Sequence, residues 1–194
     1  MKKGFTLLEL LIVIGILAIL STTMIIVINP AEMLKKARDS QRISDLNNVK
    51  SAIAYYLTNA TTVYMGPTQT GSAVATTTCG SWSTATSTFS NAYAVDGNGW
   101  VPINFAGLSG GSPIGSLPRD PNQSAYNANP SLYYVFLAST TTTNGFELVA
   151  NLESTYYTST DNKESTDGGK ITTLYEVGTS FDLTTTSATC FPSP

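Results

Sequence analysis

Three observations predict an α+β chain, with one long helix laid against an antiparallel sheet. Residues 10–28 form an uncharged apolar run, residues 30–59 continue with apolar positions at helical spacing, and strand-like runs become clear only after residue 130. Strands that follow a single amphipathic helix imply a helix layered on a sheet rather than alternating βαβ units. The 194 residues leave room for one domain of ordinary size once a terminal segment is set aside.

The N-terminal segment is the first element. Leu10 to Ile28 carries no charge and is mostly Leu, Ile and Val; as a helix it is about 28 Å long, close to the hydrocarbon thickness of a bilayer. Lys2 and Lys3 would suit a secretory signal peptide, but the run is too long for an h-region and no small-x-small cleavage site follows it. A plain signal anchor accounts for the length and leaves Glu9 unexplained. A carboxylate at membrane depth costs several kcal/mol unless it is paired, so such residues are functional by default.

Lys2-Lys3-Gly4-Phe5-Thr6-Leu7-Leu8-Glu9-Leu10 resembles the signal of bacterial type IV prepilins and of the related type II secretion pseudopilins. The resemblance implies cleavage between Gly4 and Phe5 by a membrane prepilin peptidase on the cytoplasmic side, then N-methylation of the new Phe5 amine. It also implies that Glu9 of an incoming subunit neutralises the Phe5 amine of a subunit already in a filament. The physics is consistent, because an ammonium and a carboxylate are each costly in an apolar core and less so together. The lysines of the leader stay in the cytoplasm, in keeping with the positive-inside bias. Gly15, Ala18 and Thr22 share a helix face at a spacing that lets helices approach closely.

The second element starts at "NPAE". Asn29 suits a cap, Pro30 the first helical position, and Glu32 the third residue after the cap. Pro30 also has no amide hydrogen for the Ile26 carbonyl and clashes with it, which predicts a hinge at Asn29 and Pro30 between two helical halves. Past the hinge, Leu34, Ala37, Leu46, Val49, Ile53, Tyr56 and Leu57 are read as one apolar stripe. Charges on the other faces alternate in sign: Glu32 with Lys36, Lys35 with Asp39 and Asp39 with Arg42 are expected to pair on a solvated face.

The remaining elements form the body. Residues 60–98 are rich in Thr, Ser and Gly and read as a connecting region with room for short strands. Ser131–Ala138 is β-branched and aromatic on both faces, as a buried central strand is. Gly145–Leu152 alternates Phe146, Leu148, Ala150 and Leu152 onto one face, and the intervening STTTTNG suits a hairpin loop. Ile171–Val177 is a further strand, ending before Gly178.

This arrangement is also the pilin fold that the resemblance implies. Its parts are a cleaved leader at 1–4, a hydrophobic helix at 5–28, an amphipathic helix at 29–59, the connecting region at 60–98 and a sheet body at 99–194. The resemblance reaches the body through Leu117-Pro118-Arg119-Asp120-Pro121, Tyr133-Tyr134 and Asn151-Leu152-Glu153, which look like the major pseudopilins and their relatives. The long Thr/Ser insert carrying Cys79 departs from that pattern.

Composition narrows the chemistry. Only 12% of residues are charged, the net charge is −3 and histidine is absent, so the usual zinc ligand sets and His-based triads are not available. No basic footprint marks a nucleic-acid site. No cluster of nucleophile, base and orienting acid stands out, so no enzyme activity, cofactor or metal is expected. Asp161, Glu164 and Asp167 in "TDNKESTDGG" offer oxygen ligands, but they lack the acidic alternation of a calcium loop and read better as a solvated turn. Cys79 and Cys190 read as one disulfide of an oxidising compartment, with two free thiols as the alternative. Such a bridge would close a loop of more than 100 residues, worth roughly 4 to 5 kcal/mol on the chain-entropy account. Asn59-Ala60-Thr61 and Asn122-Gln123-Ser124 match the glycosylation sequon.

What the resemblance implies for function is a homo-oligomeric helical filament, assembled from inner-membrane precursors by a platform with ATPase-driven machinery. Adhesion, motility or DNA uptake would follow from the filament, with nucleic acid as a partner only through such uptake. A pseudopilin of a secretion system and a ligand-binding minor tip subunit are the alternatives.

Overall fold

The computed structural model describes residues 4–66, 69–71, 93–122, 134–139 and 144–181, with backbone alone for 25–28 and 69–71. Two helices run in succession, α1 (Leu7–Ile28) and α2 (Pro30–Asn59). A four-stranded antiparallel sheet follows, in the order β1 (Gln69–Gly71), β2 (Val135–Ala138), β3 (Phe146–Ala150) and β4 (Tyr175–Gly178). The expected α+β layer is what forms.

The two helices meet at Asn29, which takes a left-handed conformation with φ of 45°. Asn is one of the few residues that adopt this region readily. Its side-chain oxygen accepts from the Glu32 amide at 3.4 Å, and Pro30 occupies the first helical position of α2. One residue therefore ends α1 and caps α2.

The core lies between α2 and the sheet. Leu46, Val49, Ile53 and Tyr56 of α2 meet Phe136, Phe146, Leu148, Tyr175 and Val177, with Trp100, Ile103 and Phe105 of the 93–122 loop closing one side. The lower half of the predicted stripe is thus buried, while Leu34 and Ala37 are exposed. Helical phase explains the difference. At 100° per residue, Leu34 sits about 120° and Ala37 about 180° from Leu46, so neither turns to the sheet.

Val135, Phe136, Leu137 and Ala138 are all buried, as expected for a central strand with neighbours on both edges. The expected strand began at Ser131, but 131–133 lie outside the described residues. β3 is shorter than expected by a residue at its start and two at its end, yet Phe146, Leu148, Ala150 and Leu152 all join the core. Its alternate face, Glu147 and Val149, is buried too. The last strand starts at Tyr175, because Ile171 to Leu174 forms a turn closed by the Leu174 amide on the Ile171 carbonyl at 3.2 Å. It also includes Gly178, where a Cβ would stand 2.2 Å from the Phe146 carbonyl oxygen; only glycine lets β4 stay paired there.

Within the expected connecting region the backbone places β1 against β2. Residues 72–92 and 182–194, and with them Cys79 and Cys190, lie outside the described residues.

Candidate functional site

Two sites emerge, one at the tip of α1 and one where α2 meets the body.

At the tip, Gly4, Phe5 and Thr6 precede the first helical residue, so the Gly4–Phe5 bond lies outside the helical hydrogen-bond ladder. A Cβ on Gly4 would meet nothing within 4 Å, and Phe5 is 80% exposed. An uncrowded peptide outside the helix is what a protease cleft can bind. Thr6 caps α1, its hydroxyl accepting from the Glu9 amide at 3.2 Å. Thr6-Leu7-Leu8-Glu9 therefore has the Thr-x-x-Glu spacing of a capping box, a signal that reading Glu9 solely as a charge partner overlooks. The Glu9 carboxylate, in the first turn, is also on the favourable side of the helix dipole.

The flank of α1 is as open as its tip. Leu7–Met24 is long and apolar enough to cross a membrane, and none of it is buried within the subunit. Among the described residues seventeen large apolar side chains are exposed, and thirteen of them, from Phe5 to Met24, belong to this segment and its tip. Monomeric soluble proteins rarely expose so large a contiguous apolar surface. The segment is built to be covered by something outside the chain.

The second site is a buried charge cluster. Asp39 and Arg42 are fully buried, although the spacing of charges on α2 predicts a solvated face. Arg42 donates to Asp39 at 2.6 Å, to Asp120 through Nε at 2.7 Å and NH2 at 3.0 Å, and to Glu153 at 2.8 Å. Arg38 binds Glu153 with two further bonds, at 2.6 and 2.8 Å. The Asp39 carboxylate also receives the Glu153 amide at 3.1 Å and the Ser154 amide at 2.7 Å. Three pieces of chain, α2, the 117–121 loop and the exit of β3, are thereby tied through one guanidinium.

Of the expected pairs on α2, Asp39 with Arg42 forms. Glu32 and Lys36 instead turn to Tyr156: Glu32 accepts its amide at 3.3 Å, and the Lys36 ammonium sits 3.3 Å from its ring centroid. Lys35 is not paired with Asp39, whose oxygens are taken by Arg42 and by backbone amides. Extending the buried register Tyr56, Ile53, Val49 and Leu46 backward by four and three residues lands on Arg42 and Asp39. The helical period thus carried the signal, hidden by the habit of counting only apolar residues.

Burial alone would lower the Arg42 pKa, but its bonds to Asp120, Glu153 and Asp39 raise it well above the usual range. Glu153 is likewise penalised by burial, yet Arg38 and Arg42 hold its carboxyl below the ordinary value. Beside the cluster, Tyr134 donates to Asp45 at 2.9 Å. Burial raises both of their pKa values.

The three acids of "TDNKESTDGG" do not converge. Asp161 pairs with Lys163 at 3.1 Å, Glu164 is buried on the short helix α3 (Lys163–Thr166), and Asp167 accepts from the amides of Gly169 and Glu176. Among the described residues no group of three or more Asp, Glu, Cys or His is placed to hold a metal ion. Most of the segment reaches solvent, as its composition predicts, but Glu164 is withdrawn from it.

Comparison with known proteins supplies the class. Residues 1–25 match the prokaryotic N-terminal methylation motif. The N-terminus is therefore a prepilin-type signal, of the kind carried by type IV pilins and pseudopilins. Comparison with curated proteins and with solved structures gives no match. The motif stands where the structure leaves the Gly4–Phe5 bond uncrowded and Leu7–Met24 uncovered.

Proposed function

We propose that this chain is the precursor of a pilin that polymerises into an extracellular type IV pilus filament. The single observation that carries the reading is the methylation motif heading a helix whose segment Leu7–Met24 buries no side chain in its own subunit. In the precursor α1 lies in the cytoplasmic membrane; in the filament it lies among other copies of itself. Peptidase cleavage between Gly4 and Phe5 creates the amine, methylation caps it, and Glu9 of a neighbouring subunit neutralises it. Because lipid tails are as apolar as the neighbouring helices, close packing between copies of α1 drives assembly rather than transfer out of water, and the ion pair selects the axial register.

The Thr/Ser-rich body faces outward and sets what the filament adheres to. Cys79 and Cys190 close a disulfide that braces this body outside the cell. The chain performs no catalysis; adhesion, motility or DNA uptake belongs to the filament.

A major pseudopilin of type II secretion is the second reading, favoured by the 117–121 loop that Asp120 locks to α2. Loss of surface filaments on gene deletion supports the pilin, whereas loss of protein secretion with filaments intact supports the pseudopilin.

Two measurements test the proposal. Intact mass of the mature subunit is expected to start at methylated Phe5 and to lack two hydrogens until a reductant is added. Glu9→Ala is expected to leave membrane insertion and cleavage in place while abolishing incorporation into filaments. Normal polymerisation of that variant would refute the pairing mechanism.

A further inference from the structure

Just past the break at Asn29, α2 carries an apolar pair with nothing over it: Met33 is 58% exposed and Leu34 62%. Lys35 and Lys36 follow, and successive residues step by 100° around the helix. The Lys36 ammonium lies over the ring of Tyr156, which meets Tyr157 edge-on at 5.0 Å. Both tyrosines are half-buried. Apolar, basic and tyrosine side chains thus encircle the first turns of α2 as a collar.

The neighbouring charges are already engaged. Glu32 accepts the Tyr156 amide, and Arg38 is bound twice to Glu153. Among the described residues no salt bridge reaches Lys35 or Lys36. The collar therefore presents the Lys35 ammonium beside exposed hydrocarbon, with the Lys36 ammonium held over the Tyr156 ring.

We infer that this collar is a membrane-surface contact of the precursor, with Met33 and Leu34 at the acyl boundary and Lys35 and Lys36 on anionic phospholipid headgroups. The inference rests on the reading of Leu7–Met24 as a membrane span. Position favours lipid over any other occupant: α1 has 22 residues, which at 1.5 Å each traverse a hydrocarbon core of about 30 Å and bring Asn29 to the acyl–headgroup boundary; the contact requires α2 to leave the α1 axis at the left-handed Asn29, so that Met33 and Leu34 stay at that depth. Composition agrees, because tyrosine, lysine and isolated large apolar side chains are what membrane–water interfaces select. Anchored there as well as by α1, the body is held at a fixed height and tilt before extraction.

The test uses the full chain in vesicles of phosphatidylcholine with one quarter phosphatidylglycerol, with and without a lipid brominated near the top of its acyl chain. Leu34→Trp, Leu17→Trp and Ser51→Trp are compared, each after subtraction of the parent chain's own tryptophan emission. Bromine is expected to reduce the added emission of Leu34→Trp roughly twofold, as befits a depth of about 5–10 Å, to quench Leu17→Trp, and to leave Ser51→Trp unchanged. Adding Lys35→Glu to the Leu34→Trp chain is expected to weaken that quenching in the anionic vesicles and not in pure phosphatidylcholine. Quenching at Leu17 without quenching at Leu34 overturns the collar and leaves the span and the filament reading intact. No quenching at either site overturns the span as well. Equal quenching at Leu34 and Ser51, or no effect of Lys35→Glu in anionic vesicles, overturns the local headgroup contact. Shielding of Leu34→Trp that appears only as the protein-to-lipid ratio rises assigns the surface to a second copy instead of lipid.

Discussion

Arg42 is the residue on which the junction of helix and body depends. Removing one partner of a buried, hydrogen-bonded ion pair leaves uncompensated charge, at a cost of about 3–5 kcal/mol. Arg42→Ala is expected to lose that much in urea denaturation of the body, because Asp39 and Asp120 would then lose their cation and Glu153 would keep only Arg38. Arg38→Ala is expected to cost less, about 1 kcal/mol or below, since its side chain is 29% exposed and water can replace it. Equal losses would mean that the cluster is not centred on Arg42. Glu164 acts in the opposite electrostatic sense. Burial first, and then the charges of Asp39 and Asp167, push its carboxyl up to about 7, against the relief of a hydrogen bond from the Leu152 amide. A carboxyl whose folded pKa exceeds its unfolded value favours folding when protonated. That stabilisation is complete below the ordinary pKa of 4.5 and fades as pH rises through about 7. The melting midpoint of the body is therefore expected to fall between pH 5 and pH 8, and Glu164→Gln to flatten this slope; an unchanged slope in the variant would exclude Glu164 as its source.

At the scale of elements, the break between α1 and α2 is set locally. Asn29 holds φ of 45° and caps α2, and Pro30 cannot continue α1. Replacing both by alanine removes the cap, the left-handed residue and the missing amide together. The double variant is expected to run as one continuous helix from Leu7 to Asn59 in detergent, seen as helical carbon chemical shifts through residues 28–31. A persistent interruption would place the cause in packing rather than in these two residues. Local chemistry made this break legible, as it did the hairpin of β2 and β3, where alternation of Phe146, Leu148 and Ala150 is a property of neighbouring residues. The upper half of α2 was not legible, since counting apolar residues drew the stripe through Leu34 and Ala37. Its buried register runs through Asp39 and Arg42, whose burial depends on Asp120 and Glu153, at least 78 positions away in the chain.

Over the whole molecule, apolar surface is divided unequally. The body closes its own core, whereas Leu7–Met24 contributes nothing to it. Removing residues 1–28 is accordingly expected to leave the melting midpoint of the body unchanged while abolishing membrane association and filament formation; a large drop in the midpoint would mean that α1 supports the fold. The division also separates two kinds of ion pair. Arg42 and its carboxylates are satisfied within one subunit, whereas Glu9, at the tip of α1, is exposed to solvent, as the proposed pairing with a neighbouring subunit requires.

What this sequence determined unaided is its N-terminus: the Gly4–Phe5 junction, the acidic Glu9 and the apolar run are contiguous, and a peptidase or a bilayer reads them in linear order. The hinge at Asn29 and Pro30 follows for the same reason, because capping and the missing proline amide act within one turn. The tertiary structure alone decided that Asp39, Arg42 and Glu164 are buried. The helical period puts Asp39 and Arg42 on the core face, but whether a charged side chain there finds a partner depends on which distant segment folds over it.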